Sequence, residues 1–163
     1  MPTITDLHGL FLHTLKDIYY AEQQVQKLMP MLAEKATSDA LTALLQDHAD
    51  QSEEHVDRLE RVFEMIGEAA AGVTCEAMDG IVKEAKHLLG DIEDAATRDA
   101  AIVASAQAID HYEITRYGSL TTWAEELGHP DAANLLGESL ADEEESDDAL
   151  TALAEDRLNQ KAA

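Results

Sequence analysis

The 163-residue chain has one cysteine, two phenylalanines, one tryptophan and three prolines, and each scarcity excludes something. A single cysteine, Cys75, leaves no internal disulfide and fits a reducing compartment. Aromatic residues make up 4% against 45% hydrophobic residues in all. With Ala, Leu, Glu and Asp dominant, that balance disfavours sheet and favours an all-α chain. Nowhere do apolar residues run on for the roughly eighteen positions that a membrane span needs. The opening MPTITDLHGL lacks the basic-then-apolar order of a secretory leader, so the expected location is the cytoplasm. Cationic residues are few, 11 Lys and Arg against 34 Asp and Glu, for a formal charge of −23. Phosphate binding needs clustered Lys and Arg, so neither nucleic acid nor an anionic membrane is an expected partner. A Gly-rich phosphate loop, a nucleophile elbow and a cysteine pair are missing too. Cations remain the natural ligands, although most surface acids serve only solubility.

What the chain does have is helical periodicity over a single domain, residues 1–163. Thr5 or Asp6 caps a first helix with the stripe Leu7, Phe11, Thr14, Ile18, Ala21, Val25, Leu28, Leu32, ending near Ala36, and Pro30 predicts a local kink. Ser38 caps a second helix with the stripe Leu41, Leu45, His48, Ser52, His55, Leu59, Val62, Ile66, closed by Gly67. A Gly- and Ala-rich loop leads to a short helix over 75–89, closed by Gly90. Thr97 is the expected cap of a fourth helix ending at Gly128. HPD opens a fifth, with the stripe Leu136, Leu140, Glu143, Asp147, Leu150, Ala154. The pattern predicts a four-helix bundle of two antiparallel hairpins, joined by a long connection that carries the short helix.

Each long helix interrupts its apolar stripe near the middle. The first places Glu22 beside the stripe, the second His48, Ser52 and His55, the fourth Asp110 and Glu113, and the last Glu143 and Asp147. A buried carboxylate is costly unless something answers its charge. In an antiparallel hairpin, residues equally far from the turn share a level. Glu22 and His55 lie about sixteen and seventeen residues from the first turn, Glu113 and Glu143 both about fifteen from the second, and Asp110 and Asp147 both about eighteen. The spacing therefore gathers Glu22, His55, Asp110, Glu113, Glu143 and Asp147 at mid-height. Such a layer is what a carboxylate-bridged metal centre requires, because divalent ions neutralise the acids and draw O and N ligands from several helices. His48 reads instead as a hydrogen-bonded core histidine. His8, His13, His87 and His129 read as surface or helix-end residues, and Cys75 as a cap or packing residue. Tyr19, Tyr20, Tyr112 and Tyr117 flank the layer.

The segments LKDIYYAEQQ, HADQSEEHVDRLERVFEMIG, CEAMDGIVKEA, AIDHYEITRYGSL and SLADEEESDDALTALAE, in this order, resemble the ferritin-like, stress-associated bacterial proteins of the YciF/YciE type over almost the whole chain. The resemblance implies a five-helix ferritin-like fold, a homodimer, and a centre of one or two iron or manganese ions. Glu22, Glu113 and Glu143 match the helix glutamates of ferritin-like proteins. Where Glu-x-x-His is usual, Ser52 stands in place of the bridging acid and His55 is kept. From Glu143 to Ser146 the matching histidine is missing, with Asp147 one position on. Two functional classes follow: a metal-dependent oxidase or peroxide-consuming protein, or a non-enzymatic stress protein whose polar layer is structural or holds a passive ion.

Overall fold

The computed structural model describes residues 3–163, and the structured part of them is helical throughout. Helix α1 spans Leu7–Lys35, α2 Asp39–Met65, α3 Glu76–Asp91, α4 Ala95–Glu126 and α5 Pro130–Leu153. A π-helical turn, Ala154–Leu158, and a last turn, α6, Asn159–Ala162, prolong α5. Asp6 caps α1 by accepting from the Gly9 amide, and Ser38 caps α2 by accepting from Leu41, as short oxygen-bearing side chains do at helix starts. Helix α1 continues through Pro30. Gly67 and Gly128, at φ +73° and +80°, end α2 and α4 in the left-handed region that side chains with a Cβ avoid.

Two boundaries differ from the sequence reading. The cap of α4 is Asp94, which accepts from the Thr97 amide and hydroxyl; Thr97 is the bonded partner rather than the cap. Helix α3 runs through Gly90 to Asp91, since a glycine without positive φ need not stop a helix. Cys75 is the buried N-cap of α3, its sulfur 3.3 Å from the Met78 amide.

The short linker 36–38 folds α2 back on α1, and Leu127–His129 folds α5 back on α4. Helix α1 packs on α2 and α4, and α5 packs on the other sides of α2 and α4, closing a cycle of four. Helix α1 runs antiparallel to α4: Thr37, beyond its C-terminus, bonds Asp99 near the start of α4, whereas Asp17 pairs with Arg116. Helix α2 runs antiparallel to α5 likewise, His48 facing Ser146 and Arg58 facing Ser139. The interior is apolar above and below mid-height, with Phe11, Leu15, Leu59 and Phe63 toward one end and Leu28, Leu32, Leu41 and Leu45 toward the other. Each such side chain, fully buried, contributes ~1.5–3 kcal/mol. Helix α3 leans on α4 and α1. Among the described residues no helix is long and apolar enough to cross a membrane.

Candidate metal centre

Between these apolar ends lies a layer of buried polar side chains: Glu22, His48, Ser52, His55, Asp110, Glu113, Ser139 and Glu143. The stripe periodicity of each helix aims them inward, because three- and four-residue steps hold one face. Two sets form. Glu22, His55 and Glu143 offer ligand atoms within 4.8 Å of one another, and so do His48, Glu113 and Glu143. Glu143 belongs to both.

In the first set His55 and Glu22 are held by hydrogen bonds on every side. Nδ1 of His55 lies 3.0 Å from Oε1 of Glu22 and 3.2 Å from Oε1 of Glu143. Tyr117 donates to Oε1 of Glu22 at 2.6 Å, and Ser52 donates to Oε2 at 2.6 Å. On its far side, Nε2 of His55 lies 3.2 Å from Oδ2 of Asp142, which Arg58 also holds. Burial opposes a charged imidazole here, but the bonds to Glu143 and Glu22 outweigh it and push His55 up to about 10. Burial likewise opposes the Glu22 charge, and His55, Ser52 and Tyr117 together draw its carboxyl below the ordinary range.

The second set is starved. Nε2 of His48 stands 3.8 Å from Oε2 of Glu113 and 3.7 Å from Oε2 of Glu143, too far for hydrogen bonds. Nε2 of His48, both oxygens of Glu113, Oε2 of Glu143 and both oxygens of Asp110 are buried without a hydrogen-bond partner. Burial, joined by the charges of Glu22, Glu143 and Asp110, raises Glu113 well above the carboxylate range. Burial and Glu143 push Asp110 up to about 8. Such orphaned groups cost about 1–3 kcal/mol each, and their convergence from α2, α4 and α5 is what a divalent cation would relieve. Carboxylate oxygens with imidazole nitrogen suit a hard to borderline divalent ion, a class that includes iron and manganese. Each histidine also turns its second nitrogen to an aspartate: Nδ1 of His48 lies 3.5 Å from Oδ1 of Asp110, as Asp142 meets His55. A carboxylate behind a ligand histidine fixes its ring and tautomer.

Of the residues that spacing singled out, Glu22, His55, Glu113 and Glu143 come together within the two sets. Asp110 stands behind His48. Asp147 lies outside both, with Oδ1 taken by Gln107 at 2.9 Å and Oδ2 3.4 Å from Nε2 of His111. The expectation of a hydrogen-bonded His48 holds for Nδ1, 3.3 Å from the Ser146 hydroxyl, and not for Nε2. The signal that marks His48 is its seven-residue, two-turn interval from His55 on one stripe. Asp142 carried no such signal, since it sits beside the stripe. Ser52, in the place of an acid, holds Glu22 instead. Among the tyrosines only Tyr117 bonds to the layer; Tyr19 and Tyr20 reach Glu60 and Asp79, and Tyr112 meets Asp17 and Cys75.

Comparison with known proteins agrees in sequence and in backbone. Protein YciF of Escherichia coli K12 is 37% identical over 163 residues, 99% of this chain and 96% of its own length. The crystal structure of the E. coli stress protein YciF superposes with a TM-score of 0.91 at 34% identity, covering 96% of this chain and 99% of that one. YcfI of Rhodopseudomonas palustris gives 0.90 at 45% identity, over 92% and 96%. A Xanthomonas campestris protein at 18% identity, TM-score 0.74, shares the fold over 92% of both chains. Residues 6–163 match the model of one family, and the chain is thus a YciF-type member of the family described as Domain of unknown function (DUF892).

Proposed function

We propose that this chain is a cytoplasmic, ferritin-like stress protein that holds iron or manganese, one or two ions per chain, in the mid-height layer, with oxidase or peroxide-consuming activity. One observation carries the reading: unpartnered buried atoms of His48, Glu113 and Glu143 converge on one place, with the unpartnered carboxyl of Asp110 behind His48. A structural polar layer pairs its members internally, and this half does not. The E. coli relative's description as a stress protein supports the physiological part.

In this reading Glu22, His55 and Glu143 would hold one ion, and His48, Glu113 and Glu143 a second, Glu143 being common to both sets. A redox-active metal, when bound, would supply one-electron chemistry toward an oxidant such as peroxide. The chain's residues do the rest. Carboxylates stabilise the higher oxidation state, Ser52 and Tyr117 fix Glu22, Asp110 and Asp142 orient the histidines, and the apolar ends exclude bulk water. The homodimer is part of the proposal; light scattering that gives a particle of about twenty-four subunits, a closed cage, would contradict it.

The test is elemental analysis of protein purified without chelator, followed by peroxide consumption and ferrous oxidation assays. Stoichiometric iron or manganese with peroxide turnover is expected. Metal at background level, also after anaerobic reconstitution, would overturn the proposal.

A further inference from the structure

The residues of both sets are at most 2% exposed, so an ion that binds there, as the metal-binding reading above requires, has to cross the helical wall. Three edges of the layer carry polar side chains outward. At the first, Asp142 meets His55, but the Arg58 guanidinium sits on it, Nη1 2.5 Å from Oδ2, and also pairs with Glu54 and Glu138. At the second, Asp17 meets Tyr112, and Arg116 lies 3.6 Å from Asp17 with its guanidinium 4.8 Å from the centre of the Tyr112 ring. A fixed guanidinium at a mouth repels an approaching dication.

The third edge is the seam between α4 and α5, and among the described residues no guanidinium pairs with its acids. Among the described residues the ionic partner of Asp147 is His111, and Gln107, anchored also by Thr151, holds its other oxygen. His111 is 68% exposed and Asp147 18%. Next inward is Asp110, 0% exposed, with neither oxygen hydrogen-bonded and Oδ1 3.5 Å from Nδ1 of His48. Gln107 and His111, which hold Asp147, flank Asp110 on α4 at three residues and one, so the two acids share the seam. Exposure falls step by step while every step offers a metal-ligating atom. An orphaned, fully buried carboxylate behind a half-buried one is unexplained by packing; a cation in transit would satisfy it.

The geometry points to His111, Asp147 and Asp110 as the route by which a divalent cation passes from solvent to the buried centre. Asp147 receives the ion at the seam, and Asp110 delivers it to the His48 side. Asp147 thus governs the rate of loading and not the amount held. The route also separates the roles of acids that spacing alone groups together, because a transit residue needs access and a resident ligand needs burial.

The experiment follows cobalt(II) uptake by chelator-stripped protein, with stopped-flow absorbance for the rate and elemental analysis for the final content. Asp147→Asn removes the charge and keeps the shape, and uptake should slow on the order of tenfold or more while final content stays that of the native chain. Asp147→Glu should restore the rate. His111→Gln, at the exposed mouth, should slow uptake less. Asp148→Asn, an exposed acid on the same helix, controls for the loss of one surface charge and should leave the rate within about twofold. Native uptake with an unchanged rate in Asp147→Asn, equal slowing in Asp148→Asn, or lower final content in Asp147→Asn would each overturn the route alone. A native chain that takes up no cobalt would overturn the metal-binding reading and the route with it.

Discussion

His48 and His55 stand seven residues apart on α2 and approach the two oxygens of one carboxylate: Nδ1 of His55 lies 3.2 Å from Oε1 of Glu143, and Nε2 of His48 lies 3.7 Å from Oε2. The two ends of that carboxylate differ sharply. Oε1 is met by a charged imidazole, and Oε2 has no hydrogen-bond partner. The layer is thus self-neutralised in one half, while the other half holds buried polar atoms without partners.

Neutralising two glutamates should have opposite effects on the metal-free protein. Glu113 is buried with both oxygens unpaired, so Glu113→Gln removes a desolvation cost and should stabilise the fold by about 1–2 kcal/mol, or leave it unchanged. Glu22 answers the His55 charge, so Glu22→Gln leaves a buried imidazolium under-compensated and should destabilise by about 3 kcal/mol. Both should reduce metal content. Urea melts of chelator-treated protein with elemental analysis check this, and equal signs in the melts would contradict it.

His48 belongs only to the second set. His48→Gln should therefore abolish one ion and spare the other, halving the content of a chain that binds two. Anaerobic titration with ferrous iron, read by stoichiometry, decides. Loss of both ions would mean that the sets do not fill independently.

The stability of the metal-free protein should depend on pH with a definite sign. Asp110 is raised to about 8, Glu113 well above its usual range, and His55 to about 10. Raised folded values mean that the native state holds protons the unfolded chain has released, so their stabilisation is complete at low pH and is lost as pH rises through the folded values. Glu22 and Asp142 are lowered; their contribution is present above the usual carboxylate values and is lost as pH falls through the folded ones. Stability should peak in the mildly acidic range and decline toward pH ~8–10. Divalent metal, which replaces those protons, should stabilise more at pH 8 than at pH 5. Melts at three pH values with and without manganese test both statements.

Self-repulsion among −23 formal charges should weaken the fold at low ionic strength, and screening should relieve it. The melting temperature should rise between low and moderate sodium chloride; a flat or falling curve would count against this.

The helices and the height of the polar layer are legible in the sequence, since both follow from local rules. A stripe with a 3.6-residue period sets which face is buried, and equal counting from Ser38 and from Gly128 sets the level, so Glu22 meets His55 and Glu113 approaches Glu143 as the spacing predicts. Caps were less legible: Asp94 and Thr97 are three apart and either carries a suitable oxygen, so the choice belongs to the backbone path entering α4. Which side chains share a ligand-sized space was decided only by tertiary structure. Neighbouring residues on a helix point about 100° apart, so Glu143 faces the interior while Asp142 reaches round to His55 and Arg58 at the edge, and Asp147 turns into the α4 seam toward Gln107 and His111. His48 could not be told from an ordinary core histidine, because what distinguishes it is the missing partner at Nε2, a property of three helices packed together and of no stretch of sequence.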